Sequence, residues 1–156
     1  MTTPVNVFDD DWEELFPAVE GWRSNVRRIA PGATLGMSVY ELLPGQTQCP
    51  YHFHHGSEEL VLVLRGRPTL RTPAGERLLK EGDAVHFPTG SDGAHQMINR
   101  SVGPARYVVA AAHVSPEVVE YPDSAKFAAG SRATRFWSIN RTVDAVDYLD
   151  GEKPRT

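Results

Sequence analysis

A chain of 156 residues has room for one domain with a sizeable core and is short for two. Hydrophobic residues at 40% and charged residues at 23% are ordinary for a globular protein, and a net charge of −4 with no basic run argues against nucleic acid as a partner. A single cysteine, Cys49, excludes an internal disulfide, no apolar run approaches the ~20 residues of a membrane span, and the acidic start lacks a signal peptide's basic and apolar regions, so a soluble cytoplasmic protein without membrane contact is expected.

Taken in chain order, the first distinct element is "DDDWEELF", residues 9–16. Its leading acids and the spacing of Trp12, Leu15 and Phe16 predict a two-turn helix that Pro17 ends. So short a helix needs support, and residues 1–26 are read as an N-terminal extension packing on the main body or on a partner. Short β-branched or alternating runs follow, separated by glycine and proline: "TLGMSVYELL", "EELVLVLRG", "RPTLRT", "ERLLKEG", "DAVHFP", "AHQMIN" and "ARYVVAAAHV". Strands at this spacing predict an all-β sandwich or barrel over residues 27–115. "LRTPAGERLL" reads as a hairpin turning at Pro73-Ala74-Gly75. After "EVVEYPDSAKF", the stretch "AAGSRATR" reads as a small-residue linker within a C-terminal extension, residues 116–156. The end of that extension carries Phe136, Trp137, Ile139, Val143, Val146 and Tyr148, too much apolar surface for a disordered tail, so it is expected to dock.

The stretch "CPYHFHHGSEELVLVLRG", Cys49 to Gly66, concentrates the chemistry. Alternate residues of a strand share a side, so His52 and His54 face together with Phe53 opposed. Glu59 follows across a turn containing Gly56 and opens a run that is apolar on both sides, predicting a strand buried on both faces. A carboxylate at the head of such a strand needs a partner, and a divalent cation is an efficient one. His95, after a glycine-rich turn, supplies a further imidazole from far along the chain. Three imidazoles and a carboxylate suit Zn, Fe, Mn or Ni, with Co and Cu also compatible. His86 is expected to face away, as is His55 unless a slip of the strand turns it inward; Glu58 is expected in solvent, His113 to be structural and Cys49 to be a packing residue, with a reactive thiol the alternative.

Gly45-x6-His-Phe-His-x4-Glu59-x6-Gly66, and Gly82-x5-Pro-Thr-Gly-x4-His95-x3-Asn99, resemble the two motifs of the cupin superfamily. The first carries one extra residue before His52, the second two extra before His95. Residues 30–112 carry the likeness, and the flanks resemble those of small single-domain bacterial cupins of unassigned activity. The resemblance implies a double-stranded β-helix, or jelly-roll barrel, with His52, His54, Glu59 and His95 at the metal positions.

Such a barrel holds one small molecule beside the metal. Alternation nominates Gln48, Val61, Val63, Met97 and Asn99 as ligand-binding residues, with Tyr40 or Tyr107 reaching in from neighbouring strands. No second carboxylate or lysine is aimed at the metal, so the catalytic residues are unknown. A metal-dependent enzyme acting on a small organic molecule is expected, and an interior poor in basic residues favours dioxygenase-type chemistry over isomerisation of a sugar phosphate. The alternatives are a non-catalytic small-ligand binder and a structural dimer. Outward-facing Leu60, Leu62 and Leu64 need cover, which predicts a homodimer.

Overall fold

Glycine and proline cut the chain into short strands because each turn needs their backbone freedom or restriction. The structure, a computed structural model, describes residues 3–13, 22–131 and 134–153. Its strands are β1 (Asn25–Pro31), β2 (Leu35–Leu42), β3 (Phe53–His54), β4 (Glu58–Arg65), β5 (Thr69–Thr72) and β6 (Gly75–Leu78). They continue with β7 (Ala84–Phe87), β8 (Gln96–Ile98), β9 (Ala105–Ala112), β10 (Glu117–Tyr121), β11 (Lys126–Ser131) and β12 (Phe136–Arg141). Among the described residues the only helical pieces are three-residue 3-10 turns, and no helix is long and apolar enough to cross a membrane. The all-β class expected from the strand pattern, and the jelly-roll barrel implied by the resemblance, are what the chain adopts.

Pairing is antiparallel throughout the ladders, in three sheets ordered β1-β2-β9-β4-β7, β12-β11-β10-β3 and β6-β5-β8. The predicted hairpin forms with Thr72 paired to Gly75 across Pro73-Ala74. Side chains from β2, β4, β7 and β9 meet those from β5, β8 and Leu79 in one core cluster: Leu42, Val61, Val63, Leu70, Leu79, Phe87, Met97 and Tyr107. The five-stranded sheet is thus packed solidly against β6-β5-β8. Opposite β10–β12 the same sheet leaves a cavity, described below.

The helix expected at residues 9–16 is not present in its described part. Residues 9–12 have no regular structure and Glu13 makes a β-bridge to Val26, while residues 14–16 lie outside the described residues. The acids that looked like a helix N-terminus instead meet arginines of the barrel. Asp9 and Asp11 lie 3.6 and 3.4 Å from Arg27, and Glu13 lies 2.6 Å from Arg28. Asp10 reaches the buried Arg106 at 2.5 Å, beside Glu41, and the Arg106 guanidinium also lies over the Trp12 ring.

A second correction concerns the linker expected at 128–135. Ala128 to Ser131 belong to β11, which pairs on both sides with β10 and β12; residues 132 and 133 lie outside the described residues. Small residues serve here for close approach, because a Cβ at Gly130 would meet the Trp137 ring at 1.8 Å. A third concerns β4. Val61 and Val63 are 1% exposed, whereas Leu60 and Leu62 are 45% and 38% exposed, so only one face of the strand is buried within the chain.

Candidate metal centre and its cavity

Three neighbouring segments bring the imidazoles and the carboxylate together. His52 and His95 exchange both main-chain hydrogen bonds, 3.1 and 2.9 Å, in a single antiparallel bridge. Directly opposed residues put their side chains on one face, so these two rings lie 4.7 Å apart. His54, two residues on, shares that face, and its ring is 5.1 Å from that of His52. Glu59 enters from the second position of β4. One ligand atom from each of His52, His54 and Glu59 lies within 4.8 Å of the others. Glu59 Oε2 is 3.6 Å from His54 Nε2 and 3.2 Å from His95 Nε2, so His95 adjoins the group through the carboxylate.

The hydrogen bonds fix tautomers. A carbonyl oxygen only accepts, so His52 Nδ1 donates to the Pro50 carbonyl and His95 Nδ1 to the Gly93 carbonyl, both at 2.9 Å. In the neutral ring each Nε2 then carries a lone pair. The Phe87 ring stacks on His95 at 3.8 Å and holds its plane. Burial, reinforced by His95 and His54, pushes His52 down to about 4 despite Glu59 and the Pro50 carbonyl, so it is neutral at physiological pH. Burial pushes the Glu59 carboxyl up, but His95, His54 and His52 outweigh it and hold the group below its ordinary value.

These donors fit a divalent transition-metal ion. A lone pair on His95 Nε2 facing an ionised carboxylate oxygen at 3.2 Å is repulsive unless a proton or cation lies between. Two bonds of about 2.1 Å to one ion separate their donor atoms by roughly 3.0–3.4 Å in octahedral or tetrahedral geometry. The separations from Glu59 Oε2 are close to that range. Among the described residues, His54 Nδ1 is the one buried side-chain polar atom without a hydrogen-bond partner.

Beside this group opens a cavity of about 350 Å³, at the small end of ligand pockets. Its walls come from the five-stranded sheet on one side and β10–β12 on the other, and His54 and Glu59 line it. Met37, Val109, Ala111 and Val119 give an apolar strip; Arg28, Ser38, Tyr40, Ser57, His113 and Glu117 give a polar one. Burial, with Cys49 and Glu59 nearby, pushes the Tyr40 phenol up to about 12, so it stays a hydrogen-bond donor. His113 rests on Gly36, where a Cβ would meet its Nε2 at 1.9 Å.

The residues nominated as pocket-lining fall elsewhere. Val61, Val63 and Met97 are in the packed core. Gln48 accepts from the Tyr107 hydroxyl at 2.7 Å. Asn99, fully buried, donates to the Leu42 and Gly103 carbonyls and accepts from Ser101, holding a turn. None of the five lines this cavity. Alternation fixes the side of a sheet, not the depth, and Val61 and Val63 share a side with Glu59 but lie deeper. His55 and His86 face outward beside Glu120 and Glu58, at 2.7 and 3.3 Å. Burial pushes the Cys49 thiol up to about 12, as suits a packing residue.

Sequence reasoning missed Glu117, Ser57, Arg28 and Trp137. The signal for Glu117 was present in "EVVEY", where it shares a face with Val119, the residue paired to His54.

The cupin domain family model matches residues 38–111. Protein TT1209 of Thermus thermophilus is 31% identical over 58% of this chain and 83% of its own, with a TM-score of 0.53. A protein of Acidithiobacillus ferrooxidans, provisionally named a sugar phosphate isomerase, is 27% identical over 73% of this chain and 71% of its own, with a TM-score of 0.67. A sugar phosphate isomerase of the cupin superfamily from Silicibacter pomeroyi shares the fold, with a TM-score of 0.75 at 23% identity, covering 90% of this chain and 95% of its own. No curated protein matches the chain. The paired motifs, the antiparallel barrel and these likenesses agree, and the chain belongs to the cupin family.

Proposed function

We propose that this cupin is a metal-dependent enzyme that isomerises a small, polar hydroxycarbonyl compound. His52, His54, Glu59 and His95 would hold the ion. One observation carries the reading: the imidazole–carboxylate group opens into a cavity with a polar wall, Ser38, Tyr40, Ser57, His113 and Arg28. That wall offers more polar contacts than the apolar interior expected from the sequence, which supports isomerisation ahead of oxygen chemistry. A divalent ion held there would supply Lewis acidity, polarising a bound carbonyl and acidifying the neighbouring C–H. Tyr40, protonated at all physiological pH, donates a hydrogen bond to a bound oxygen. His113 supplies an imidazole on the same wall, the side chain best suited to carrying a proton. The 27% identity to the Acidithiobacillus protein supports the same reaction class.

Elemental analysis of protein purified without added metal is the first test, with His52→Ala as control. A stoichiometric first-row metal lost in the variant is expected; a metal-free wild type that binds no added ion would end the reading. The second test incubates metal-loaded protein with small aldoses, ketoses and their phosphates in D2O. Deuterium exchange next to the carbonyl is expected. The apolar strip of Met37, Val109, Ala111 and Val119 favours a second reading, dioxygenase-type chemistry on a small organic substrate. Oxygen uptake by iron-loaded protein without any deuterium exchange would select it.

The proposal extends to assembly as a homodimer. Leu60 and Leu62 on the barrel, and Trp137, Ile139, Val146 and Leu149 in the C-terminal part, are exposed in the single chain. A light-scattering mass of twice 17.2 kDa is expected, and a mass of 17.2 kDa would refute it.

A further inference from the structure

The three imidazoles are not oriented in the same way. His52 and His95 each donate Nδ1–H to a main-chain carbonyl two residues earlier. His54 has no such carbonyl: its Nδ1 is buried without a hydrogen-bond partner, and Glu117 Oε2 stands 3.8 Å away. The Glu117 carboxylate cannot easily swing to close that gap. Its Oε1 accepts the Gly56 and Val118 N–H groups at 3.1 and 3.0 Å, and its Oε2 accepts the Ser57 hydroxyl. Ser57 is 5% exposed and the Glu117 side chain 12%. Val119 pairs with His54 in the β3–β10 ladder, which makes Glu117 its diagonal neighbour on the same face. Oε2 still has a lone pair to offer, and a rotation of the His54 ring that moves Nδ1 by about 1 Å completes a hydrogen bond.

We propose that Glu117 is a positioning residue of the metal site, accepting the Nδ1–H of His54 so that its Nε2 is turned toward the ion beside Glu59. This rests on the metal-site reading above. A carboxylate partner fixes the tautomer and makes the imidazole a stronger donor than a carbonyl partner does. His54 is then the most electron-rich of the three imidazoles, and the strand that makes it so is β10, beyond the family's two motifs. Ser57 holds the carboxylate in place.

Zinc titration calorimetry on wild type, Glu117→Gln and Ser57→Ala tests this, together with imidazole nitrogen–proton NMR of the zinc-loaded wild type. Glu117→Gln should weaken zinc binding 10–100-fold, the usual effect of losing such a partner, measured on the metal-free variant shown to be folded by its circular dichroism. Ser57→Ala should weaken it less, in the same direction. In the wild type, zinc should bring out a downfield His54 Nδ1–H resonance. Equal zinc affinity in wild type and Glu117→Gln would overturn the proposal. Should that variant fail to fold, the wild-type spectrum decides: no downfield His54 Nδ1–H signal in the loaded protein overturns it equally. A wild type that binds no zinc, cobalt or iron sinks the metal-site reading itself, a separate outcome from tight binding that ignores Glu117.

Discussion

The five-stranded sheet is covered twice, and the two covers differ. Against β6-β5-β8 it meets large apolar side chains with nothing left between: Leu42, Leu79, Met97 and Tyr107 are each 2% exposed or less. Against β10, β11 and β12 it stands off and encloses the cavity, with small residues such as Gly130 and Ala128 in the facing sheet. One half of the barrel is packed solid, and the other keeps an open hollow. The histidine group lies at the seam, since His52 and His95 link the β3 and β8 segments across the two covers. Imidazoles at a seam are anchored by dense packing on one side, as the Phe87 stack on His95 illustrates, and open to a guest on the other.

Substitution can break this contrast. The largest effect is expected from truncating a core side chain: Met97→Ala should cost about 2–5 kcal/mol in urea unfolding, because the dense half cannot collapse around the hole. Met37→Ala, on the cavity wall, should stay within about 1 kcal/mol; equal losses at the two methionines would abolish the distinction.

Acid probes the seam. The folded His52 titrates at about 4, below the roughly 6.5 of an unfolded imidazole, so the unfolded chain takes the proton first. Metal-free protein is therefore fully stable above pH ~6.5 with respect to this group, and stability falls as pH drops toward 4, by as much as ~3 kcal/mol. Urea midpoints at pH 7.5 and 4.5 measure the loss, and His52→Gln should flatten the slope.

On the hollow side, Gly130→Ala should push the Trp137 ring outward and raise its accessibility to a fluorescence quencher, with a stability change of only about 1 kcal/mol. Smallest of all, the exposed pair of Arg71 and Asp123 ties β5 to the turn after β10, with distances of 2.5 and 2.8 Å. Arg71→Ala should cost no more than ~1 kcal/mol, and less at high salt.

Where local pattern and tertiary role coincide, the sequence was readable. The strands from β2 to β9 announce themselves by alternation and punctuation, and motif spacing singles out His52, His54, Glu59 and His95, which the fold brings side by side. Segments whose residues answer to distant partners were opaque. Asp9, Asp10, Asp11 and Glu13 mimic a helix start, but their partners are Arg27, Arg28 and Arg106, invisible to a local reading. "AAGS" mimics a linker because smallness looks the same whether it serves flexibility or close packing under Trp137. Pocket walls were misplaced for a third reason, depth along a strand, which alternation does not encode.

Two of the three imidazoles take their bearings from carbonyls of the peptide chain itself, at Pro50 and Gly93. Such acceptors survive any exchange of side chain that leaves the loop's path intact. The walls of the hollow, in contrast, are built of side chains on other strands. A mutagenesis library could therefore vary Met37, Ser38, Val109 and Trp137 freely while the nitrogen donors keep their aim, making the scaffold a ready starting point for re-specifying its guest.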